Sequence, residues 1–519
     1  MGDTADRFSA WEESVFGMKS NSLINEQPER ARVVHRLYRS IAARPALLFA
    51  LALYWTWVNM AFQSPLFFPS VSLAQGWLFP SWVGPVAVSA VTYLMLGMCF
   101  KRINAVFAKR WYIGGVAACM ALGALLCFVW INSYGASFAT PAAFSLYCVG
   151  SFGVGFGTAC LLAEWGRVFG FLGPQEVLFH GIVAMLGSAL FVCALSFLPG
   201  IVGQLLFVVI PLPLAMGFYR AVRGLPRKTM LEHGLDAELN VPYKFLVTAL
   251  LHGLALGVLL GSAISQGNDQ GVVLLNALSF VVAAILLFLT AVFVRMDFNH
   301  LIYQVGFSIM ATGALLIAVV QPLPVIGESF QLVGFCYVHL IMWGLCSYLT
   351  KNFSLPAIWV VSWPTCCLML GQLVGGASAS SLVQQPDSAY WIQITATVVC
   401  FVMLMAALLM LSNRNLTTGW GIARPANAVS PDSAIESVVS LLTVENGLTP
   451  RESETLALLA RGRNRKFISE ELVVSEETIK SHVYSIYRKL GIHSQQELLD
   501  LVEVRIGAVR EDPVKPMFA

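Results

Sequence analysis

The segment LTPRESETLALLARGRNRKFISEELVVSEETIKSHVYSIYRKLG, residues 448–491, decides the fold of the C-terminal part of the chain. Thr449 and Glu452 have the spacing of a capping box, in which each side chain satisfies a free backbone N–H of the first helical turn. Pro450 stands at the first helical position, where its missing N–H costs nothing. These signals predict a helix that starts here and stops at Gly462.

Further helix start and stop signals follow this first helix. A second short helix is predicted over about 464–472. Ser475 caps a third helix that ends at Gly491, and Ser494 opens a fourth that runs to about Arg505. Four short helices, with the second and third in close succession, are typical of a helix-turn-helix domain, which we place at residues 447–510 with a tail at 511–519.

The third helix divides into two faces at 100° per residue. Its predicted buried stripe is Ile479, Val483, Ile486 and Leu490, and its outward face is Glu477, Lys480, Ser481, Tyr484 and Arg488. Such an outward face suits insertion into the major groove of DNA. A basic cluster is suited to neutralising phosphates: Arg461, Arg463, Arg465, Lys466 and Lys489. Residues 447–506 hold nine basic and nine acidic side chains, so charge alone leaves a solvated helix face as the alternative.

Four motifs in this region resemble the LuxR-type helix-turn-helix family. They are Leu448-Thr449-Pro450-Arg451-Glu452, Leu459-Ala460-Arg461-Gly462, Ser475-Glu476-Glu477-Thr478-Ile479-Lys480-Ser481-His482 and Ile486-Tyr487-Arg488-Lys489-Leu490-Gly491. The resemblance implies double-stranded DNA as partner, a third helix that reads bases, and a fourth helix that pairs two copies into a homodimer. Carried over, Lys480, Ser481 and Tyr484 face base edges. Thr478, His482 and Lys489 position the DNA backbone.

The second helix departs slightly from the family pattern. Arg465-Lys466-Phe467-Ile468-Ser469 stands where the family often has Asn-Lys-Glu-Ile-Ala. Ser469 is small enough to pack in that place, so the departure affects contact details and leaves the fold unchanged. Arg465 and Lys466 remain predicted DNA-binding residues.

The rest of the 519-residue chain requires lipid. Hydrophobic residues make up 57% of the chain and charged residues 12%, about half the usual charged share of roughly 25%. Apolar stretches of spanning length recur from residue 46 to 411. The predicted spans are 46–62, 83–100, 111–131, 140–162, 177–197, 201–219, 244–265, 271–294, 300–320, 330–350, 356–376 and 390–411. The sequence therefore predicts a twelve-helix bundle in a lipid bilayer.

Loop charges predict the orientation of this bundle. The odd-numbered loops contain no Lys or Arg, whereas the even-numbered loops and the flanks do. These basic residues are Lys101, Arg102, Lys109, Arg110, Arg167, Arg220, Arg223, Arg227, Lys228, Arg295 and Lys351. Positive loops stay in the cytoplasm, so we expect both termini there. The segment 1–45 is then a cytoplasmic N-terminal segment, with a basic, helix-compatible part at 28–44.

The longest internal loop, 220–243, divides the spans into six plus six. This arrangement resembles the major facilitator superfamily, whose two six-helix halves enclose a central cavity. That family commonly carries a Gly/Asp/Arg-rich signature between its second and third spans. Here the loop from Lys101 to Arg110 is basic and contains no Asp or Gly. This departure argues against transport activity more than it argues against the fold. The segment 412–446, rich in Asn, Ser, Ala, Pro and Thr, is predicted to be a linker.

A sensing site is expected among polar residues of the spans. The proposed ligand-cavity residues are His180, Gln204, His252, His339 and Gln372. The alternative for each is a hydrogen bond to a neighbouring helix. Glu164 and Arg167 are predicted to form a structural or gating ion pair, and the glycine repeats at 253, 257 and 261 and at 371 and 375 to be helix-packing sites.

The sequence gives little support for a metal site, a redox site or a catalytic site. All eleven cysteines lie in apolar segments without metal-ligand or redox spacing, which predicts core packing. No cofactor, metal site or catalytic arrangement is expected, and therefore no enzyme.

The sequence thus predicts an all-α membrane-bound regulator, and the LuxR-type resemblance implies that its membrane is the inner membrane of a bacterium. The leading hypothesis is a one-component sensor, in which a small molecule or membrane signal acts on the membrane domain and the helix-turn-helix binds operator DNA. A transporter with a regulatory DNA-binding tail and a passively anchored regulator are the alternatives.

Overall fold

The computed structural model describes most of the membrane-spanning region and of the C-terminal domain. The described residues are 41–42, 44–62, 64, 66–73, 76–109, 111–223, 225, 230–231, 243–263, 270–294, 296–320, 324–352, 355–411, 438–439, 442–443, 445–460, 465–472 and 474–511. They fall into two compact units, one between residues 41 and 411 and the other between 438 and 511. Most of the predicted basic helix at 28–44 lies outside the described residues.

The first unit is a helical bundle with, in its described part, twelve helices long and apolar enough to cross a membrane. They are α1 (Pro45–Phe62), α2 (Val83–Phe107), α3 (Tyr112–Tyr134), α4 (Pro141–Phe171), α5 (Pro174–Ser196), α6 (Gly200–Val209 and Pro211–Val222), α7 (Tyr243–Ser262), α8 (Gln270–Phe288, continued by a π-helix, Leu289–Phe293), α9 (a π-helix, His300–Phe307, then Ser308–Val319), α10 (Pro324–Asn352), α11 (Ala357–Leu382) and α12 (Ser388–Met410). The prediction of twelve spans is confirmed.

Several spans are longer than their sequence pattern indicates, and α4 extends furthest beyond its predicted end. Helix α4 starts where Thr140 accepts a hydrogen bond from the Ala143 N–H and Pro141 occupies the first turn, as capping rules predict. It continues to Phe171, beyond the predicted end at residue 162. The hydropathy falls at Glu164 because charged residues follow, but their mutual pairing lets the buried helix continue.

The packing of the helices repeats after every six. In the first half α1 packs against α5 and α6, α2 against α4, and α3 against α4 and α6. In the second half α7 packs against α11 and α12, α8 against α10, and α9 against α10 and α12, which are the same pairs shifted by six. The halves meet through α2 with α11 and α5 with α8, two pairs that this shift exchanges. The six-plus-six arrangement predicted from the loops is therefore present.

Helices α7 and α11 approach each other to backbone contact. Their facing glycines are Gly253, Gly257 and Gly261 of α7 and Gly371 and Gly375 of α11. A Cβ atom at Gly253 would lie 1.9 Å from the carbonyl oxygen of Leu368, and one at Gly257 would lie 2.1 Å from that of Gln372. Only glycine permits this separation, so the predicted packing role of both repeats is confirmed.

A short antiparallel hairpin between α1 and α2 adds the strands β1 (Ser70–Ser72) and β2 (Leu78–Pro80) to the helical fold. The side chain of Gln384, which lies just after α11, forms two hydrogen bonds with β2. Its Nε2 donates to the Leu78 carbonyl oxygen at 3.1 Å, and its Oε1 accepts from the Leu78 N–H. The Tyr147 hydroxyl of α4 donates to the Ser81 carbonyl oxygen at 2.9 Å. The hairpin segment thereby ties the first half of the bundle to the second.

The second unit contains the four predicted helices: α13 (Pro450–Ala460), α14 (Arg465–Leu472), α15 (Glu476–Leu490) and α16 (Gln495–Glu511). Its core also includes Val438, Val439 and Leu442, which are buried against the helices. These residues belong to the segment 412–446 that composition assigns to a linker. Their apolar side chains complete the core, so the packed domain begins before residue 447.

Candidate nucleic-acid interface and buried polar residues of the membrane domain

Helix α15 is fixed at both ends by the residues that its sequence predicts. The Ser475 hydroxyl accepts a hydrogen bond from the Thr478 N–H at 3.2 Å, and Glu476 and Glu477 lie in the first turn, where the helix dipole favours negative charge. Gly491 closes the helix with a φ of +68°, a left-handed conformation that glycine adopts without strain. Fifteen residues give a rod of about 22 Å.

The two faces of α15 are those predicted. Ile479, Val483 and Ile486 are buried in the domain core, and Leu490 is partly buried beside them. The outward residues Glu477, Lys480, Ser481, Tyr484 and Arg488 are all exposed. Tyr484 stands out because 71% of this large ring is exposed on a domain with a well-packed core. An exposed tyrosine between two cations provides both apolar contact and hydrogen bonds to base edges.

The remaining predicted contact residues occupy three environments. The Thr478 hydroxyl lies 2.8 Å from that of Ser475, so it belongs to the helix cap. His482 is partly buried, and Arg465 is exposed at the start of α14. The side chain of Lys466 lies outside the described residues, as do Arg461 and Arg463.

Lys489 differs from the other predicted contacts because it is engaged within the domain. Its Nζ lies 2.7 Å from Glu452 Oε2 and donates to the Gly447 carbonyl oxygen at 3.1 Å. This ion pair clamps the C-terminal end of α15 to the start of α13. The DNA contact predicted for Lys489 remains a prediction, whereas its stabilising contact is visible in the fold.

Glu452 serves the clamp and the capping box together. Its Oε2 accepts the Thr449 N–H at 2.7 Å, and the Thr449 hydroxyl accepts the Glu452 N–H at 3.3 Å. Burial alone would raise the pKa of the Glu452 carboxyl, but hydrogen bonds, led by that from Lys489, lower it to about 2. The carboxylate is therefore charged at neutral pH and holds the orientation of α13 relative to α15.

In the membrane domain, two of the predicted ligand residues meet in one aromatic group. We define the ring cluster as Trp55 of α1, His252 of α7, and Phe335, His339 and Trp343 of α10. His252 stacks on Phe335 with 4.3 Å between ring centroids and lies 5.9 Å from His339. Trp55 lies 5.2 Å from His339 and 4.8 Å from Trp343. The cluster thus joins a helix of the first half to two of the second.

The other three predicted ligand residues are placed differently. The Gln204 side chain donates to the Leu66 carbonyl oxygen at 3.1 Å and accepts from Asn132 of α3 at 2.8 Å, and the second bond is the alternative role of a hydrogen bond to a neighbouring helix. Gln372 and His180 are buried, each with a side-chain nitrogen unpartnered among the described residues.

Glu164 and Arg167 form the predicted ion pair, and both are buried. Arg167 also donates to Asn104 Oδ1 at 2.6 Å and lies over the Phe107 ring at 4.1 Å from its centroid. Both latter residues belong to α2, so the pair connects α4 to α2. A buried charge requires such partners, which supports a structural role for this pair.

Three members of the ring cluster were not predicted as site residues: Trp55, Phe335 and Trp343. An apolar aromatic residue in a membrane span gives no signal of its own, because lipid-facing and buried rings look alike in sequence. Only the histidines, unusual within spans, marked the place.

Comparison with known proteins gives two results. Residues 446–502 match the family described as "Bacterial regulatory proteins, luxR family". The chain is 41% identical over 64 residues to the uncharacterized response regulatory protein YgeK of Escherichia coli, covering 12% of this chain and 44% of that protein. It is 39% identical over 62 residues to the HTH-type transcriptional activator RamA of Corynebacterium glutamicum, covering 12% and 22%. The chain thus spans less than half the length of these relatives.

Solved structures are similar to a larger part of the chain at low identity. A bacterial homologue of the iron transporter ferroportin is 13% identical, with a TM-score of 0.48, covering 71% of this chain and 99% of that one. The human organic anion transporter MFSD10 is 14% identical, with a TM-score of 0.45, covering 72% and 99%.

The C-terminal observations agree at every level. The caps, the buried stripe and the exposed face of α15 are those that the motifs predict, and the family match covers the same residues. Beyond the twelve membrane-spanning helices, the chain therefore carries a LuxR-family helix-turn-helix domain, the class of domain that binds DNA.

Proposed function

We propose that this chain is a membrane-bound, one-component transcription regulator. Its LuxR-type domain binds operator DNA, and its membrane domain senses a small molecule or a membrane signal. The observation that carries the proposal is the exposed face of α15, where Lys480, Ser481, Tyr484 and Arg488 project from a domain with a packed core. A regulator fixed to a bundle of twelve spans has its input and output in one polypeptide.

The proposed location is the bacterial inner membrane with both termini in the cytoplasm. The absence of Lys and Arg from alternate loops supports this orientation through the positive-inside rule. Only that orientation brings the DNA-binding domain to the chromosome. Cysteine-accessibility labelling of a residue inserted after 519 would report the side of the C-terminus.

The test of DNA binding is genome-wide occupancy of the full-length protein beside a Lys480→Ala/Tyr484→Ala double variant. Discrete peaks that disappear in the double variant are the expected result. A matched control is Gln496→Ala, an exposed change on α16 outside the reading face, which should keep the peaks. Peaks that persist in the double variant would contradict base reading by α15.

We further propose that two copies pair through α16, as the family resemblance implies. Leu498 and Val502 are buried in the domain core, while Leu499 and Leu501 are partly buried. Leu501 packs against the same core, so Leu499 is the described leucine of α16 that is left for a partner. Footprinting on a two-fold site, with Leu499→Glu as the variant, tests the pairing; protection of a single half-site by the wild type would contradict it.

The six-plus-six repeat also fits a transporter with a regulatory tail. Substrate flux in proteoliposomes would favour that second function. Equal regulation by the full chain and by a fragment of residues 427–519, under every condition, would instead favour a passive anchor.

A further inference from the structure

The ring cluster contains buried nitrogen atoms that no group in the described part of the chain satisfies. Trp55 Nε1, both ring nitrogens of His252 and Nδ1 of His339 have no hydrogen-bond partner among the described residues. His252 is fully buried and Trp55 is 3% exposed. An unsatisfied buried polar group costs about 1–3 kcal/mol, and such groups are uncommon in folded proteins. Their concentration in one place indicates a function other than packing.

One residue of the ring cluster is also partly exposed. From Gln331 to Thr350 every residue of α10 is buried except His339, which is partly exposed. This exposure occurs in the middle of a helix whose spanning segment is 94% buried. His339 is therefore the one residue in this stretch of α10 that keeps accessible surface, while its Nδ1 is buried with the other unsatisfied nitrogens.

We propose that the ring cluster is the binding site for a planar aromatic carboxylate. The site uses stacking for the ring of the ligand and the unsatisfied nitrogens for its carboxylate. This assignment rests on the proposed sensor function and names the class of ligand for it.

The planar ring follows from the arrangement of the walls. His252 and Phe335 are nearly parallel, with 8° between their planes, whereas Trp55 meets His339 edge-on at 79°. These are the stacked and T-shaped geometries that aromatic rings prefer. A planar ligand at His339 continues this pattern, while a saturated ring presents no π face to it.

The carboxylate follows from the balance of donors and acids. The indole N–H of Trp55 only donates, and each imidazole donates from at least one nitrogen. The ring cluster itself contains no Asp or Glu to balance a cation. Two tryptophans also suit an organic cation, but a cation leaves every N–H unsatisfied. An anion in a low-dielectric site requires donors, and the ring cluster supplies them.

A ligand bound in the ring cluster contacts both six-helix halves and can therefore affect their relative position. Trp55 belongs to the first six-helix half, and His252 and His339 belong to the second. A carboxylate held by nitrogens from both halves favours one relative position of the halves over another. Such unequal binding to two conformations is what a ligand needs to shift an equilibrium.

The test measures binding to the purified full-length protein in lipid nanodiscs, with no DNA present. Equilibrium dialysis at neutral pH uses benzoate, phenylacetate and indole-3-acetate as probes. Cyclohexanecarboxylate lacks the planar ring, benzyl alcohol lacks the charge, and tetramethylammonium has the opposite charge. We expect one saturable site per chain for at least one aromatic carboxylate, about tenfold or more tighter than for the three comparison probes.

Variants locate the site. His252→Phe and His339→Phe each keep a ring and remove the nitrogens, so each should weaken the best probe by about tenfold. His300→Phe is the matched control, because His300 is exposed and its Nδ1 pairs with Asp297 at 2.7 Å; it should bind as the wild type does. Size-exclusion chromatography establishes that each variant is folded.

The outcomes separate this proposal from the proposed function. No saturable binding of any aromatic carboxylate to the wild type, preferred binding of tetramethylammonium, or unchanged binding in both histidine variants overturns the ligand class or the site. The comparison among probes needs only the wild type, so it decides even if a variant does not fold. DNA occupancy is measured separately, and its loss would overturn the regulator function without affecting the dialysis result.

Discussion

At the scale of single residues, Glu452 and Lys489 show how one ion pair defines the geometry of the DNA-binding domain. The pair lies between the first turn of α13 and the last turn of α15, and the Glu452 side chain is only 6% exposed. Hydrogen bonds to a buried charge contribute more than those at the surface. The orientation of the reading helix therefore depends on two residues that need not touch DNA.

The first prediction is a pH-dependent loss of stability in Glu452→Gln. Because the pKa of Glu452 is about 2 in the fold and near 4.5 ordinarily, its stabilisation is complete above pH 4.5 and is lost as the pH falls towards 2. At pH 7 the substitution should cost about 2 kcal/mol, and it should flatten acid unfolding in that window. Urea unfolding of the fragment 427–519, followed by circular dichroism, measures both effects.

Its control is Glu454→Gln, which removes an exposed ion pair with Arg451 on the same helix. Exposed pairs contribute little, so this variant should change the stability by less than about 1 kcal/mol. Equal losses in the two variants would show that the clamp does not stabilise the domain.

The second prediction separates base reading from phosphate contact. Tyr484→Ala should weaken binding to the preferred site by about 1–3 kcal/mol, with a smaller effect on unrelated DNA. Arg465→Ala should weaken both equally and lower the salt dependence by about one phosphate contact. Fluorescence anisotropy over a range of salt concentrations measures affinity and slope together. A Tyr484 variant with unchanged specificity would place sequence reading elsewhere.

At the scale of the elements, the α7–α11 pair is the part of the membrane bundle most sensitive to added volume. Backbone faces backbone along three turns, so no flexible side chain can move aside. A methyl group added there has to separate the two helices. The same methyl group at an open position affects only helix propensity, where alanine is favourable.

The third prediction follows from this contrast. Gly257→Ala should destabilise the membrane domain by about 1–3 kcal/mol because its Cβ would meet the Gln372 carbonyl oxygen at 2.1 Å. Gly114→Ala in α3 is the control, since no atom of the described residues lies within 4 Å of a Cβ there. Thermal unfolding of the purified protein in detergent compares the two. If Gly257→Ala is as stable as the control, the close approach is not required.

At the scale of the whole molecule, sequence reasoning predicted the features that depend on local patterns. Twelve spans follow from hydropathy, and four C-terminal helices follow from caps such as Thr449 and Gly491. The end of α4 was wrong because it depends on a pairing between Arg167 and residues of α2, which hydropathy does not record. For a similar reason only the two histidines of the ring cluster were predicted. Trp55 contacts His339 through tertiary packing, which the sequence pattern does not record.

The fourth prediction concerns communication between the two halves of the bundle and the regulatory output. The Gln384 amide makes two hydrogen bonds to Leu78, and these bonds tie the hairpin segment of the first half to α11 of the second. Gln384→Ala removes both bonds, so it should shift the balance between positions of the halves. Under the sensor proposal, that shift changes operator occupancy by the full chain.

The adjacent Gln385→Ala is the matched control, because this side chain is exposed. Reporter expression and operator occupancy should change about threefold or more in Gln384→Ala, which corresponds to a shift of at least about 0.6 kcal/mol, and should not change in the control. Protein abundance in the membrane is measured in parallel to exclude a difference in amount. If both variants regulate as the wild type does, the bundle acts as an anchor, because a tie between its halves has then no effect on the DNA-binding domain.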